Sequence, residues 1–594
     1  MPQPADPTFD RHTLTRIKGI MLPFFRSEKK KQARLLLGLL FGFALAVALV
    51  QVLMSYVARD FMDALTQRDS GGYRKNLWLY LGTFALAVPI GVFYRFTEEK
   101  LALLWRQWMT WHLLKRYFAN RAYYHLRESD LIDNPDQRIA EDVRNFTATT
   151  LSFLLITLNS CVTLLAFTGL LWSISRSLVF TLVIYAVTGT AISILIGRRL
   201  AGIYYHQYEK EGNFRYAMVR VKDNAESIAF YRGEKREHRD LISKFGAIFE
   251  NTTRLIGWNR NLAFFTTSYN YFALILPTLV VAPLYFAGKI QMGTVLQAAG
   301  AFAGVLAATS LIITQFERLS GFAAGVTRLD ALWTGLTEQD PEEERDNAIA
   351  STDAPEPSLI DVRETGHRLQ LAHLDVQTPD GRKTLLKDLN LNLKPGTSVL
   401  LMGASGSGKS SLLRTIAGLW NTGGGSISRP PLARLMFLPQ RPYMVQGSLR
   451  DQLLYPGQNE DLDTAHITEV LEAVNLAEVV ARVDGDFDRT VDWTNILSIG
   501  EQQRISLARL LLRQPSIAFL DEATSALDEP NEKLLYQLLK TRGVTFISVG
   551  HRTTLKQYHD QLLTLHQDGT WLLEPLPVPQ VPPQLTSTPK GAPA

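Results

Sequence analysis

The chain has 594 residues, a net charge of +5 and one cysteine, Cys161. A lone cysteine excludes intramolecular disulfides and cysteine-ligated zinc, and so mild a charge gives no reason to expect a nucleic-acid partner. The length implies several domains, and a mean hydropathy of −0.01 conceals two unlike halves. Long apolar runs fill the chain to about residue 335, and a soluble α/β pattern begins near residue 367.

Residues 1–34 read as a polar, mixed, cytoplasmic N-terminal segment. Met1 to Pro23 lack the charged, apolar, small-residue order of a cleavable signal peptide. Six charge-poor runs follow, at about 35–56, 77–94, 151–174, 178–197, 262–288 and 293–316. Each is near the ~20 residues that a membrane span needs. They predict an all-α, six-helix transmembrane domain over 35–337. Lysine and arginine placement orients it. Lys29, Lys30, Lys31 and Arg34 precede the first span, nine basic residues lie between spans two and three, and thirteen between spans four and five. The N-terminus, both long connections and the C-terminal half are therefore expected in the cytoplasm.

The connections Arg95–Thr147 and Arg198–Asn261 are too long for idle loops and have helical character. Spans two to five are expected to continue as helices well beyond the bilayer. Trp105, Trp108 and Trp111 recur every three residues, which predicts rings near one face, for packing or a membrane interface. Asn134-Pro135-Asp136-Gln137-Arg138 and Asn224–Gly233 each read either as a short helix pressing on a partner domain or as a solvated turn. Inside the spans the polar side chains are neutral: Asn159, Ser160 and Thr163; Thr266, Thr267, Ser268, Tyr269 and Asn270; Thr309, Ser310, Thr314 and Gln315. Such groups face a wet cavity or bond between helices. A neutral polar cavity suits a larger organic solute better than a proton or a bare metal ion.

Residues 338–366, with Asp340-Pro341-Glu342-Glu343-Glu344 and the proline-rich Asp353–Pro357, read as a solvated acidic linker. Residues 367–574 form the second domain, and the proline-rich 575–594 a disordered tail. Leu369–Val376 is a first strand, Pro379-Asp380-Gly381 a turn, and Leu385–Leu393 alternates as a half-buried strand should.

Gly403-Ala404-Ser405-Gly406-Ser407-Gly408-Lys409-Ser410 then fits the pattern G-x-x-x-x-G-K-[ST] in full. The apolar strand Thr397–Met402 precedes it and a helical pattern from Ser411 follows. The glycines let backbone N–H groups curl around phosphates, and the helix N-terminus adds positive potential. Lys409 can reach the β- and γ-phosphates of a nucleotide, and the Ser410 hydroxyl can ligate Mg²⁺. Further on, Ile517–Leu520 is an apolar strand ending in Asp521 and Glu522. Asp521 is placed to hold Mg²⁺ through water, and Glu522 to polarise the water that attacks the γ-phosphate.

Leu497-Ser498-Ile499-Gly500-Glu501-Gln502-Gln503-Arg504 resembles the signature motif of ATP-binding-cassette (ABC) ATPases, usually Leu-Ser-Gly-Gly-Gln. Ile499 and Glu501 depart from that pattern. The resemblance implies a multi-domain protein with an α/β P-loop cassette that binds ATP and Mg²⁺. It implies that Ser498 and the Gly500 amide cap the γ-phosphate bound by Gly403–Ser411 of another copy. Leu438-Pro439-Gln440 resembles the Q-loop, with Gln440 sensing Mg²⁺ and the γ-phosphate; Ser525–Asp528 resembles the D-loop; Val549–Arg552 resembles the switch loop, with His551 at the γ-phosphate. The aromatic on which many cassettes stack adenine is missing from Val376-Gln377-Thr378-Pro379.

Six spans and one cassette resemble a half-transporter of exporter-type architecture, which implies a homodimer. The segments Asn134–Val143, Ala225–Glu237 and Phe437–Pro456 resemble the subfamily D half-transporters and the bacterial SbmA/BacA-like proteins fused to a cassette. Trp105-Arg106, Trp108-Met109-Thr110 and Tyr123-Tyr124 are more similar to the bacterial members. That branch implies ATP-driven uptake of bulky, partly hydrophilic solutes (peptides, bleomycin-like compounds, cobalamin) across a bacterial inner membrane. The alternatives are export of fatty acyl-CoA or lipid, and an ATP-gated channel or regulatory subunit.

Overall fold

The computed structural model describes residues 11–128, 132, 134–309, 316–337, 359–366, 368–457 and 463–577. The chain divides into two compact units, Met1–Thr352 and Asp353–Ala594.

The first unit is helical. Its main helices are α1 (Arg11–Arg26), α2 (Lys30–Thr66), α3 (Ser70–Phe118), α4 (Val143–Ile174), α5 (Arg176–Asp223), α6 (Ala225–Tyr231), α7 (Glu234–Phe286), α8 (Met292–Thr309) and α9 (Phe316–Thr337). Five helices among the described residues are long and apolar enough to cross a membrane. The expected fourth span is seen as the apolar stretch Arg176–Ile192, which begins the 48-residue α5. The sixth expected span contains α8, and its last residues, 310–315, lie outside the described residues. At about 1.5 Å per residue, α3 (49 residues) and α7 (53 residues) each exceed 70 Å. A bilayer core is about 30 Å thick, so both helices outrun it, as the basic connections predict.

The N-terminal segment differs from expectation. Residues 11–26 form a helix whose Ile20 and Phe24 are fully buried. Phe24 stacks on Trp105 with ring centroids 5.6 Å apart, and Arg16 Nε lies 3.2 Å from Asp330 Oδ2. The three tryptophans also diverge. Trp105 is buried, Trp108 is partly buried against Phe24, and Trp111 is 60% exposed. A step of three residues falls short of the 3.6-residue turn, so the rings drift around the helix instead of sharing a face.

The two candidate coupling segments separate as well. Asn134 is left-handed (φ 46°) and the π-turn Arg138–Asp142 folds inward, burying Arg138, Ile139 and Asp142. In α6, by contrast, Phe230 and Tyr231 are 79% and 86% exposed. Two of the polar residues in the spans are used between helices. Asn159 Nδ2 donates to Tyr94 Oη at 2.7 Å. Tyr185 and Tyr269 stack at 4.3 Å, and each hydroxyl donates to the other's carbonyl, at 2.5 and 2.9 Å. Gly189, one turn from Tyr185, leaves the space that the Tyr269 ring fills.

The second unit contains two sheets. Strands β1 (Asp361–Glu364), β5 (Gly423–Arg429), β2 (Leu369–Gln377) and β3 (Thr384–Leu393) make the smaller, in that order. Strand β1 lies within the expected linker; it is recruited by parallel pairing with β5, and residues 338–358 of that linker are outside the described residues. The larger sheet runs β10 (Trp571–Pro575), β9 (Gln561–Leu565), β4 (Ser398–Gly403), β8 (Thr545–Val549), β7 (Ile517–Asp521) and β6 (Leu435–Leu438). All its pairings are parallel except β10 with β9. Strands β4, β7 and β8 are almost wholly buried, and they read as continuous apolar runs for that reason.

Adding a methyl at Gly189 drives it into the Tyr269 ring, and overpacking of this kind costs about 1–3 kcal/mol. Gly189→Ala is expected to lower the melting temperature of the detergent-solubilised protein. Gly212→Ala, in α5 with nothing within 4 Å of the new carbon, is expected to leave it unchanged or raise it.

Candidate functional site: a phosphate loop at the strand ends

The parallel strands β4, β6, β7 and β8 all finish at one edge of the large sheet. In open α/β sheets that carboxyl edge is where ligands bind. The loop leaves β4 at Gly403 (φ 154°), whose position a side chain would push into the Leu565 carbonyl and Ser407 Oγ. It turns into the helix α10 (Lys409–Ile416) through Gly408 (φ 91°). The sequence pattern starts the helix at Ser411; the structure puts Lys409 and Ser410 in its first turn. Lys409 Nζ donates to the carbonyls of Gly403 (2.9 Å) and Ala404 (3.0 Å). Burial lowers the Lys409 pKa, while the carboxylates of Glu522 and Asp521 pull it back up.

Asp521 closes β7, and Ser410 Oγ donates to its Oδ1 at 3.4 Å. Burial raises the Asp521 pKa, and the Ser410 bond opposes the shift. A hydroxyl and a desolvated carboxylate side by side make a site that a hard cation would relieve. Among the described residues no cluster of three His, Cys, Asp or Glu exists, so such a cation would draw its remaining ligands from phosphate and water, as Mg²⁺ does.

Glu522 adopts a left-handed backbone (φ 50°), unusual for a residue with a side chain. Its N–H donates to Val549 O at 3.2 Å, which ties the bend to the end of β8. Its Oε2 accepts from Gln440 Nε2 at 2.8 Å, and its Oε1 lies 3.1 Å from His551 Nε2. Thus Gly403–Ser411, Gln440, Asp521, Glu522 and His551 meet at one edge.

Ser498 and Gly500 are held elsewhere. Ser498 caps the helix α11 (Ile499–Arg513) in a capping box with Glu501. The Glu501 carboxylate accepts from the Ser498 amide at 2.8 Å and hydroxyl at 2.9 Å, and pairs with Arg482 at 2.5 Å. The departure at position 501 therefore has a structural role: Glu501 rigidifies the start of the signature helix. Gly500 packs so closely on the Ala526 carbonyl that a Cβ would sit 3.0 Å from it.

Two residues without an assigned role in the sequence reading join these parts. Gln503 is buried; its Nε2 donates to Gln440 O (3.4 Å) and Ser525 Oγ (3.3 Å), and its Oε1 accepts from Ala526 N (3.1 Å). Arg552 donates to Ser525 O (3.1 Å) and Leu527 O (3.4 Å) and lies 3.5 Å from buried Glu532. Gln503 shares the buried side of α11 with Ser506 and Arg509, so no single polar interruption of an apolar face singled it out in the sequence.

A family model described as ABC transporter transmembrane region 2 matches residues 20–286, and one described as ABC transporter matches residues 386–525. The chain is 44% identical to an uncharacterized ABC transporter ATP-binding protein of Synechocystis sp. over 93% of this chain and 84% of the relative. This chain belongs to the ABC transporter family. The transporter is 39% identical to the chloroplastic ABC transporter D family member 2 of Arabidopsis thaliana, over 95% of this chain and 88% of that one. It is 31% identical to the human lysosomal cobalamin transporter ABCD4, over 96% and 97%. A membrane region is thus fused to an ATP-binding domain, the chain is homologous to subfamily D members, and its activity is ATP hydrolysis coupled to transport.

Two measurements probe the scaffold around the ABC site. Gln503→Leu removes the bonds to the Gln440 and Ala526 segments together, and is expected to lower kcat for ATP about tenfold with a smaller change in KM, read by phosphate release. Burial would raise the Glu501 carboxyl, but Arg482 and the Ser498 donors outweigh it and hold it at about 2, against an ordinary 4.5. A depressed carboxylate stabilises the fold above its ordinary pKa and loses that contribution as pH falls toward the folded value. The melting gap between wild type and Arg482→Gln is therefore expected to be largest above pH ~4.5 and to close as pH falls toward about 2.

Proposed function

We propose that this transporter works as a homodimer that takes up a bulky, partly hydrophilic organic solute, cobalamin or a compound of similar bulk, across a bacterial inner membrane. The observation that carries the catalytic part is the meeting of Lys409, Ser410, Gln440, Asp521, Glu522 and His551 at one sheet edge. Support for the dimer comes from Ser498 and Gly500. Their close contacts are with Glu501 and Ala526 in their own chain, which leaves the N-terminal end of α11 to serve a second copy. Support for the solute comes from the human relative, which is named a cobalamin transporter, and from the neutral polar groups of the spans other than Asn159 and Tyr269, which bond between helices.

In this reading the loop amides and Lys409 hold the nucleotide phosphates. Ser410 and Asp521 would hold Mg²⁺, which would supply positive charge against the phosphates. Glu522 takes the proton of the attacking water. Gln440 and His551 orient its carboxylate from two neighbouring strands, so that the base is fixed before the water arrives. The left-handed turn at Glu522 costs about 1–3 kcal/mol, and its bond to Val549 keeps the side chain at the edge. Ser498 and Gly500 of the second copy close the other face of the nucleotide. Closure and reopening of the two cassettes would drive alternating access in the spans.

Glu522→Gln is expected to bind ATP as the wild type does and to hydrolyse it at least 10²-fold more slowly, within the range general-base removal gives. Wild-type hydrolysis by this variant would remove the assigned role. Proteoliposomes given labelled cyanocobalamin are expected to accumulate it against a gradient with ATP, and Lys409→Ala to abolish the accumulation. Hydrolysis without accumulation would withdraw the cobalamin reading and leave the ATPase assignment intact.

A further inference from the structure

Asp142 ends the π-turn that precedes α4, and only 3% of its side chain is exposed. Arg328, in the middle of α9, donates to it through both arms of its guanidinium: Nε to Oδ2 at 2.9 Å and Nη2 to Oδ1 at 2.7 Å. One turn earlier, buried Arg138 donates from Nη1 to the backbone carbonyl of Arg328 at 2.8 Å. The turn therefore grips residue 328 twice, by its side chain and by its backbone. Around the grip, Val143 and Phe146 of α4 pack with Phe322, Val326 and Leu329 of α9 in one core.

The Asp142 carboxylate is buried while the Arg328 side chain is 48% exposed, and an ion pair drawn this far out of water is weak evidence for stability. Desolvation offsets most of its attraction, and apolar residues of similar size often replace such a pair without loss. What a two-pronged pair supplies that an apolar contact does not is register. A guanidinium fork on a carboxylate fixes distance and rotation together, whereas apolar surfaces slide. This pair sits where register would matter most. It joins the start of α4, just beyond a left-handed break at Asn134, to the helix from which the chain passes through residues 338–358 to the ATP-binding unit. Lengthening the fork would strip the buried Asp142 carboxylate of its partner.

We propose that Asp142 and Arg328 are positioning residues for transport: they lock the start of α4 and the helix α9 into one rigid body, so that both change conformation together when ATP binds and is hydrolysed. Both residues belong to the first unit, whereas the phosphate loop and its carboxylates belong to the second. Loss of the clamp should uncouple the two helices without slowing the chemistry.

The test uses the full chain in lipid nanodiscs, with hydrogen exchange followed by mass spectrometry in the absence of nucleotide and with ATP and vanadate. In the wild type, peptides covering 139–151 and 322–336 are expected to change exchange together on nucleotide addition. The informative variant is Asp142→Asn/Arg328→Met, which removes both charges of the pair together, so neither is left facing the other's empty place as in a single substitution. It is expected to keep basal ATPase within twofold of wild type and to lose the nucleotide-dependent change in at least one of the two peptides. Asp142→Glu, which keeps the charge, is expected to retain the joint change in part. If the double variant shows the same paired change as the wild type, the clamp is a packing feature and the proposal is wrong. A parallel loss of basal ATPase and of the paired change would overturn it equally, because that would mark a general structural defect.

Discussion

A carboxylate steered by side chains from two neighbouring strands can act only while three strands keep their register. That is the condition of Glu522, held by Gln440 beyond β6 and His551 beyond β8. The parallel pairing of β6, β7 and β8 meets it. The pairing is in turn secured by strands buried along nearly all their length. The loop after β4 then needs only glycine at its tight points to bring Lys409 and Ser410 to the same edge. Burial of the sheet sets the geometry, and the geometry sets the chemistry. The charge balance follows: a desolvated Lys409 beside desolvated Asp521 and the Glu522 carboxylate is a site in which phosphate and a divalent cation can each find their complement.

The signature helix is organised by a second set of bonds. Glu501, locked by Arg482 and Ser498, fixes its first turn, and Gln503 ties that turn to the Gln440 and Ala526 segments. Gln440 and Ser498 are thus tied to the same helix by hydrogen bonds. In the membrane unit the same economy recurs. Tyr185 and Tyr269 pin α5 to α7, and Asp142 with Arg328 pins the start of α4 to α9. Polar bonds set register between helices, and along α5 and α7 further ones recur, at Asn251 with Gln207 and at Arg220 with Glu237.

Much of this was legible in the chain because it is contiguous. The phosphate loop, the strand ending in Asp521 and Glu522, and the apolar runs each carry their signal within a few residues, and the helices and strands lie near the predicted places. What escaped depends on partners distant in sequence. Strand β1 reads as linker because its pairing partner begins some sixty residues later. The N-terminal helix reads as a polar segment because its apolar residues are interleaved with charged ones, and Trp105, on which Phe24 stacks, lies far along the chain. The inward fold at Arg138–Asp142 escapes both readings of its segment, as a short helix pressing on a partner domain and as a solvated turn, because nothing local announces Arg328, 186 residues from Asp142. Trp111 was misplaced for a smaller reason, the drift of a three-residue repeat on a 3.6-residue helix. Gln503 and Arg552 lay inside quoted motifs, yet their work concerns neighbouring loops rather than a ligand.

The central claim is that Gly403–Ser411 is half of a site completed by Ser498 and Gly500 of a second copy. Mixed dimers test it directly. In one preparation a chain carrying Lys409→Ala is paired with a chain carrying Gly500→Asp. In the other, a chain carrying both substitutions is paired with wild type, and ATP hydrolysis is measured on tag-purified heterodimers. A shared site leaves one intact loop facing one intact signature helix in the first preparation and none in the second. Hydrolysis is therefore predicted to survive in the first and to vanish in the second. The reverse pattern would contradict the account, because it would mean that each chain hydrolyses ATP with its own loop and its own Ser498.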